Sequence, residues 1–151
     1  MRVIPRAAFL EKPWRNGGGV SWEALAHPGG DWSLNLAEIA RDGPFSDYAG
    51  FDRTLTVVRG EGLAFNGGAV GPAPFRFDGG APILATVTAG PVLVFNVLTR
   101  RTAFRHEVRR TAGPEGDYAV PLVTLDLIVL GAGVAETAGD GPFLSVTLHA
   151  A

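Results

Sequence analysis

The 151-residue sequence contains no cysteine, so disulfides and thiolate metal sites are excluded and the redox compartment cannot be read from bridges. Only three histidines are present, His27, His106 and His149, and they are isolated from one another. A metal-binding β-barrel needs histidines at close spacing, typically His-x-His, with a carboxylate and a later histidine. The three are therefore read as surface or packing residues, and no metal or other cofactor is expected. No apolar run approaches the length of a membrane span, and the N-terminal "MRVIPRAAFLEKPW" has no signal-peptide core, which makes a cytoplasmic location the expectation. Lysine occurs once against twelve arginines, a bias that with the many alanines and glycines looks like genome composition. The net charge of −2 gives no electrostatic reason to expect nucleic acid or an anionic membrane as a partner. Nucleotide loops and the Gly-x-Ser-x-Gly elbow are also missing.

Glycine (21) and proline (11) are abundant and cut the chain into short segments. That spacing predicts an all-β fold. The strand candidates are "WSLNLAEIA", "RTLTVVRG", "GLAF", "PFRF", "PILATVTA", "PVLVFNVLT", "VTLDLIVLG" and "PFLSVTLHA". Turns such as "RGEG", read as a hairpin, "NGG" and "GDGP" separate them, and the short "EALAH" makes no convincing helix. "LTVVRGEGLAF" is echoed by "LDLIVLGAGVAE", each followed by a turn and a Pro-Phe strand. The echo is either a repeat of two β units or the ordinary similarity of glycine-turn hairpins.

Alternate strand residues share a face. Glu38 then falls with Trp32, Leu34 and Leu36, Arg53 with Leu55 and Val57, and Asn96 with Val94 and Leu98. Buried charges and amides are costly without partners. These three inward polar groups are expected to converge on one cavity, the alternative being solvated strand ends at which Glu38 and Arg53 pair. The "KPWRNGGGVSWE" stretch, with Trp14 and Asn16 ahead of Gly17, Gly18 and Gly19, has two readings. It either closes over a cavity with its backbone N–H groups near a ligand, or turns the chain while its tryptophans pack in the core.

The motifs "PWRNGGGVSWE", "AEIARDGPFSDYAGFDRTLTVVRGEGL", "PFRFDGGAP" and "GPVLVFNVLTRR", in this order over about two-thirds of the chain, resemble the HutD/Ves family. The resemblance implies a cupin-like (RmlC-like) β-barrel fold with two barrel halves in one chain, a bicupin. This would be one domain over 1–151, with β units of about 1–100 and 101–151. It also implies a protein that binds a small metabolite and adjusts histidine utilisation rather than catalysing one of its steps. Matching positions include Trp14, Asn16, Gly17, Gly18, Gly19, Glu38, Arg53, Phe77, Asn96, Thr99 and Arg100, taken here as the candidate ligand-binding set. The sequence departs at Ser21 and Trp22, where Thr and Arg are frequent, and in the short part after Arg101.

The expected ligand is a small carboxylate such as urocanate or formylglutamate. Arg53 would be the main cationic anchor and Arg100 its rival. A homodimer is compatible with this reading. A metal-independent isomerase or lyase with Glu38 as general base, and a protein-interaction module whose barrel interior is only a core, are the competing functions.

Overall fold

The structure, a computed structural model, describes residues 1–14, 17–131 and 141–151. Its strands are β1 (Arg2–Ile4), β2 (Leu10–Pro13), β3 (Gly19–Ala26), β4 (Trp32–Ile39), β5 (Gly43–Pro44), β6 (Phe51–Arg59), β7 (Leu63–Phe65) and β8 (Gly68–Ala69). They continue with β9 (Phe75–Asp78), β10 (Leu84–Val87), β11 (Val92–Arg100), β12 (Phe104–Thr111), β13 (Tyr118–Pro121), β14 (Leu127–Val129) and β15 (Phe143–Ala150). One turn of 3-10 helix covers Arg6–Ala8.

Three sheets result. The six-stranded sheet runs β2-β3-β4-β11-β6-β9, a five-stranded sheet runs β1-β14-β13-β15-β12, and a small sheet runs β5-β10-β7-β8. The six-stranded sheet lies in the middle, and the composition of β11 explains why. Both faces of "VLVFNVLT" are apolar except at Asn96, so a strand of this kind is stable only where both faces are covered. All of Val92–Thr99 is buried.

On one face Leu34, Leu36, Phe95 and Val97 pack in one cluster with Val120, Leu127, Leu144 and Val146 of the five-stranded sheet. On the other face Ile39, Leu55, Val92 and Val94 pack with Leu63, Phe65 and Ala85 of the small sheet. Among the described residues the strand order closes neither half into a barrel. The five-stranded sheet takes its strands from residues 2–4 and 104–150, so β1 crosses the division expected near residue 101.

Two local expectations change. "RGEG" is not a hairpin: it hands the chain from β6 in the central sheet to β7 in the small one, with Gly60 and Gly62 both at φ +85. A Cβ at Gly60 would stand 2.8 Å from the Pro91 carbonyl oxygen, so this crossing needs glycine for both conformation and space. The "EALAH" stretch contributes to β3. The echo at "LGAGVAE" runs into residues outside those described.

His106 on β12 is buried between the central and five-stranded sheets. Its Nε2 hydrogen-bonds the Thr54 hydroxyl and its Nδ1 the Thr99 hydroxyl, both at 2.7 Å. Burial, with Arg76 nearby, lowers its pKa from 6.5 to about 4. The folded state therefore holds a neutral imidazole over a range where the unfolded chain takes up a proton. Its contribution to stability is complete above pH 6.5 and is lost as pH falls towards 4, by up to about 1.4 kcal/mol per pH unit. His106→Gln is expected to lose less stability than wild type between pH 7 and pH 5 in urea unfolding. An identical loss in both proteins would remove His106 from this role.

Candidate functional site

On the small-sheet side of the central sheet the apolar packing is incomplete, and a cavity of about 580 Å³ opens there. That is the size of a small-molecule site. Its floor is the alternating face of three strands: Ser33, Asn35, Ala37 and Ile39 of β4, Val94, Asn96 and Leu98 of β11, and Arg53 and Leu55 of β6. Trp14, Ser21 and Glu23 form one side, and the segment from Pro44 to Tyr48 forms another.

Arg53 is the unusual group. It sits opposite Leu98 on one neighbouring strand and Phe77 on the other, and is only 6% exposed. Its guanidinium carbon lies 5.1 Å from the Phe45 ring centroid, 5.2 Å from that of Tyr48 and 5.0 Å from that of Phe77. It makes no ion pair and no hydrogen bond with any described residue, and its Nε is buried without a partner. Burial lowers its pKa to about 10, so the charge persists at neutral pH. Aromatic faces attract a cation, but they do not satisfy its N–H donors. A buried cation in that condition calls for an anion.

Asn96 lies on the same floor, diagonal to Arg53, and is 5% exposed. Its Nδ2 donates to Asn35 Oδ1 at 3.2 Å, and its own Oδ1 has no partner. Trp14 walls the cavity, with its indole N–H donating to Ser21 Oγ at 2.7 Å and its ring edge-on to Phe45.

The glycine run is the turn between β2 and β3, and none of its three glycines lines the cavity. The Trp14 N–H donates to the Gly19 carbonyl, the Gly17 N–H to the Trp14 carbonyl, and the Ala40 N–H to the Gly18 carbonyl. Gly17 is at φ +72, and a Cβ on Gly19 would collide with the Glu38 carbonyl oxygen and the Trp14 ring. The glycines let the turn close on β4 and hold Trp14 in place. Asn16 lies outside the described residues.

Other expected site residues are elsewhere. Glu38 shares a face with Leu34 and Leu36, as alternation requires, but that face packs toward the five-stranded sheet and the cavity is on the opposite one. The expected convergence therefore holds for Arg53 and Asn96 and fails for Glu38, and Glu38 does not pair with Arg53. Thr99 points to His106, also away from the cavity. Arg100 is committed to Asp31, Nε to Oδ1 at 2.9 Å, and lies over Phe51. It is not an anchor in the cavity. Phe77 reaches the site only as a ring against Arg53. The sequence reading left out Phe45 and Tyr48 as contacts of that arginine, and Asn35. Asn35 could have been found from "WSLNL", where Ser33 and Asn35 share the face opposite Leu34 and Leu36. Among the described residues no group of three or more His, Asp or Glu could hold a metal ion. No described helix is long and apolar enough to cross a membrane.

A family model described as HutD matches residues 6–143. An uncharacterized 21.2 kDa protein in the hutC 3′ region of Pseudomonas putida is 31% identical over 130 residues, covering 79% of this chain and 68% of its own. Protein Ves of Cronobacter sakazakii is 33% identical over 106 residues, covering 64% of this chain and 59% of its own. This chain thus spans from somewhat over half to two-thirds of the length of these relatives. The structure of HutD from Pseudomonas fluorescens SBW25 superposes with a TM-score of 0.75 at 24% identity, covering 99% of this chain and 98% of that one. A protein of unknown function from Pseudomonas aeruginosa PAO1 gives 0.64 at 26% identity, covering 80% and 62%. An RmlC-like cupin protein from Ralstonia eutropha gives 0.50 at 9% identity, over 62% and 65%, a likeness of fold.

Proposed function

The chain belongs to the HutD family, and we propose that it is a metal-free, cupin-like protein whose cavity binds a small carboxylate metabolite and so modulates histidine utilisation in the cytoplasm. The observation that carries this reading is Arg53, a buried guanidinium without a counter-ion on the floor of a cavity of about 580 Å³. Arginine presents parallel N–H donors that match a carboxylate, and charge-assisted pairs of this kind are strong. Most of the desolvation of the arginine is already built into the fold, since the residue is 6% exposed. Phe45, Tyr48 and Phe77 also crowd its guanidinium, so little order is lost when an anion arrives.

A link to histidine utilisation is supported by the hutC-region relative and the HutD neighbour. In the same reading, the two sheet pairs that share the central sheet are two open cupin-like halves. The isomerase or lyase alternative loses its assigned base, because Glu38 is on the far side of the sheet. The polar floor of the cavity is also more than a bare interaction module requires.

A thermal-shift and calorimetric screen of histidine, urocanate, formiminoglutamate and formylglutamate, each against its carboxamide, tests the reading. At least one carboxylate is expected to stabilise the protein, by about 2.7 kcal/mol at a hundred times its Kd. Its carboxamide is expected to be much weaker, and Arg100→Ala is expected to bind it as wild type does. No shift with any acid, or equal shifts with acid and amide, would contradict the proposal.

A further inference from the structure

Asn35 stands directly opposite Asn96 across β4 and β11, in the middle of the cavity floor. Two amides facing each other can satisfy only part of their hydrogen-bonding capacity. Here one bond is made, from Asn96 Nδ2 to Asn35 Oδ1, and it leaves Asn96 Oδ1 unpartnered on a residue 5% exposed. The side chains around Asn96 on this face do not complete it. Leu55 is directly opposite on β6, and Val94 and Leu98 flank it along β11. Asn96 itself lines the cavity, and a donor there meets the covered Oδ1 after a small rotation of the amide. An unpaired buried acceptor carries the full desolvation cost of that group, and a donor arriving from the cavity would recover it.

We infer that the Asn35–Asn96 amide pair is a second recognition element, and that the cavity selects carboxylates carrying an N–H or O–H donor at their other end. This deepens the carboxylate reading and rests on it. Both residues stand on one stretch of floor: Arg53 is opposite Leu98, two residues from Asn96, and the Cα atoms of diagonal pairs of this kind are about 7–8 Å apart. A carboxylate held at Arg53 that lies along the floor brings its other end toward the amides. Asn35 acts by positioning: it holds Nδ2 of Asn96 and so turns Oδ1 toward the donor. A site built to hydrogen-bond a substrate N–H or O–H rejects an analogue without it far more strongly than an apolar pocket rejects a change of shape.

The probes are urocanate and 3-(2-furyl)acrylate. They share the acrylate carboxylate and a five-membered ring, but furan has no N–H. Calorimetric titration of the wild-type protein is expected to show urocanate binding at least tenfold more tightly. Asn96→Leu is expected to bring urocanate down to the level of the furan acid, with furan-acid affinity changed less than about twofold. Asn35→Ala is expected to narrow the same ratio. Retained binding of the furan acid shows that a variant is folded and that Arg53 still works. Equal affinity of the two acids for wild type, or an unchanged ratio in folded Asn96→Leu, would overturn the amide assignment and leave the Arg53 reading standing. Failure of urocanate to bind wild type would overturn the amide assignment, and the absence of a shift with every acid of the screen would overturn the Arg53 reading as well.

Discussion

Arg53→Met is expected to weaken carboxylate binding strongly and leave the ligand-free protein about as stable as wild type. Such a result would separate a binding arginine from a structural one. Keeping the charge buried is unfavourable: the fall of its pKa from the ordinary arginine value to about 10 corresponds to roughly 3 kcal/mol. The three ring contacts offset this by about 0.5–2 kcal/mol each, so their sum brackets the cost. No ion pair or hydrogen bond to a described residue is lost on substitution. Methionine has similar length, is apolar, and its sulfur packs well against Phe45, Tyr48 and Phe77. Stability within about 1 kcal/mol of wild type is therefore expected in urea unfolding. Affinity for a carboxylate should fall by about 2–5 kcal/mol, the range for losing one partner of a buried charge pair. A folded Arg53→Met protein with wild-type affinity would remove Arg53 from the role. A loss of stability well beyond 2 kcal/mol would show that the arginine holds the fold together.

Gly19→Ala is expected to be strongly destabilising, although the added group is one methyl. The new Cβ would meet the Glu38 carbonyl oxygen, which is backbone, and two atoms of the Trp14 ring at 3.0 Å. The carbonyl cannot retreat without opening the β3–β4 ladder at the Gly19–Ile39 and Val20–Glu38 pairs. Overpacking of this kind costs about 1–3 kcal/mol, and the loss should lie toward the upper end because backbone must move. Trp14 would shift with it and disturb the cavity wall. Gly17→Ala has open space around it but a left-handed backbone at φ +72, so it should cost about 1–2 kcal/mol and leave binding intact. Urea midpoints and ligand titrations of the two variants check this. A Gly19→Ala protein as stable as wild type would show that the turn does not pin β3 against β4.

Much of the central sheet was legible because alternation is a local property. "PVLVFNVLT" reads as a strand covered on both faces with one amide inside, and β11 is that strand. "RTLTVV" places Arg53 with Leu55, and both lie on the cavity floor. Alternation states which residues share a face, but not what covers it. Glu38 was therefore correctly grouped with Leu34 and Leu36 and wrongly assigned to the cavity, since the five-stranded sheet packs on that side. For the same reason Ser33 and Asn35 gave no signal of a site, since the sequence does not show that a cavity lies over their face. β12 escaped notice because "FRHEVRRT" buries only His106 and Thr111, so its pattern is that of a polar segment. The contacts around Arg53 depend on the approach of Phe45 and Tyr48 from one segment and Phe77 from another strand, which no local pattern encodes.

The measurement that tests the account most directly is a crystal structure of the protein soaked with the tightest-binding acid of the screen. The ligand is expected in the cavity bounded by Trp14, Asn96 and Arg53, with both carboxylate oxygens within about 2.7–2.9 Å of Arg53 guanidinium nitrogens. A ligand bound elsewhere, or in the cavity with its carboxylate turned away from Arg53, would contradict it.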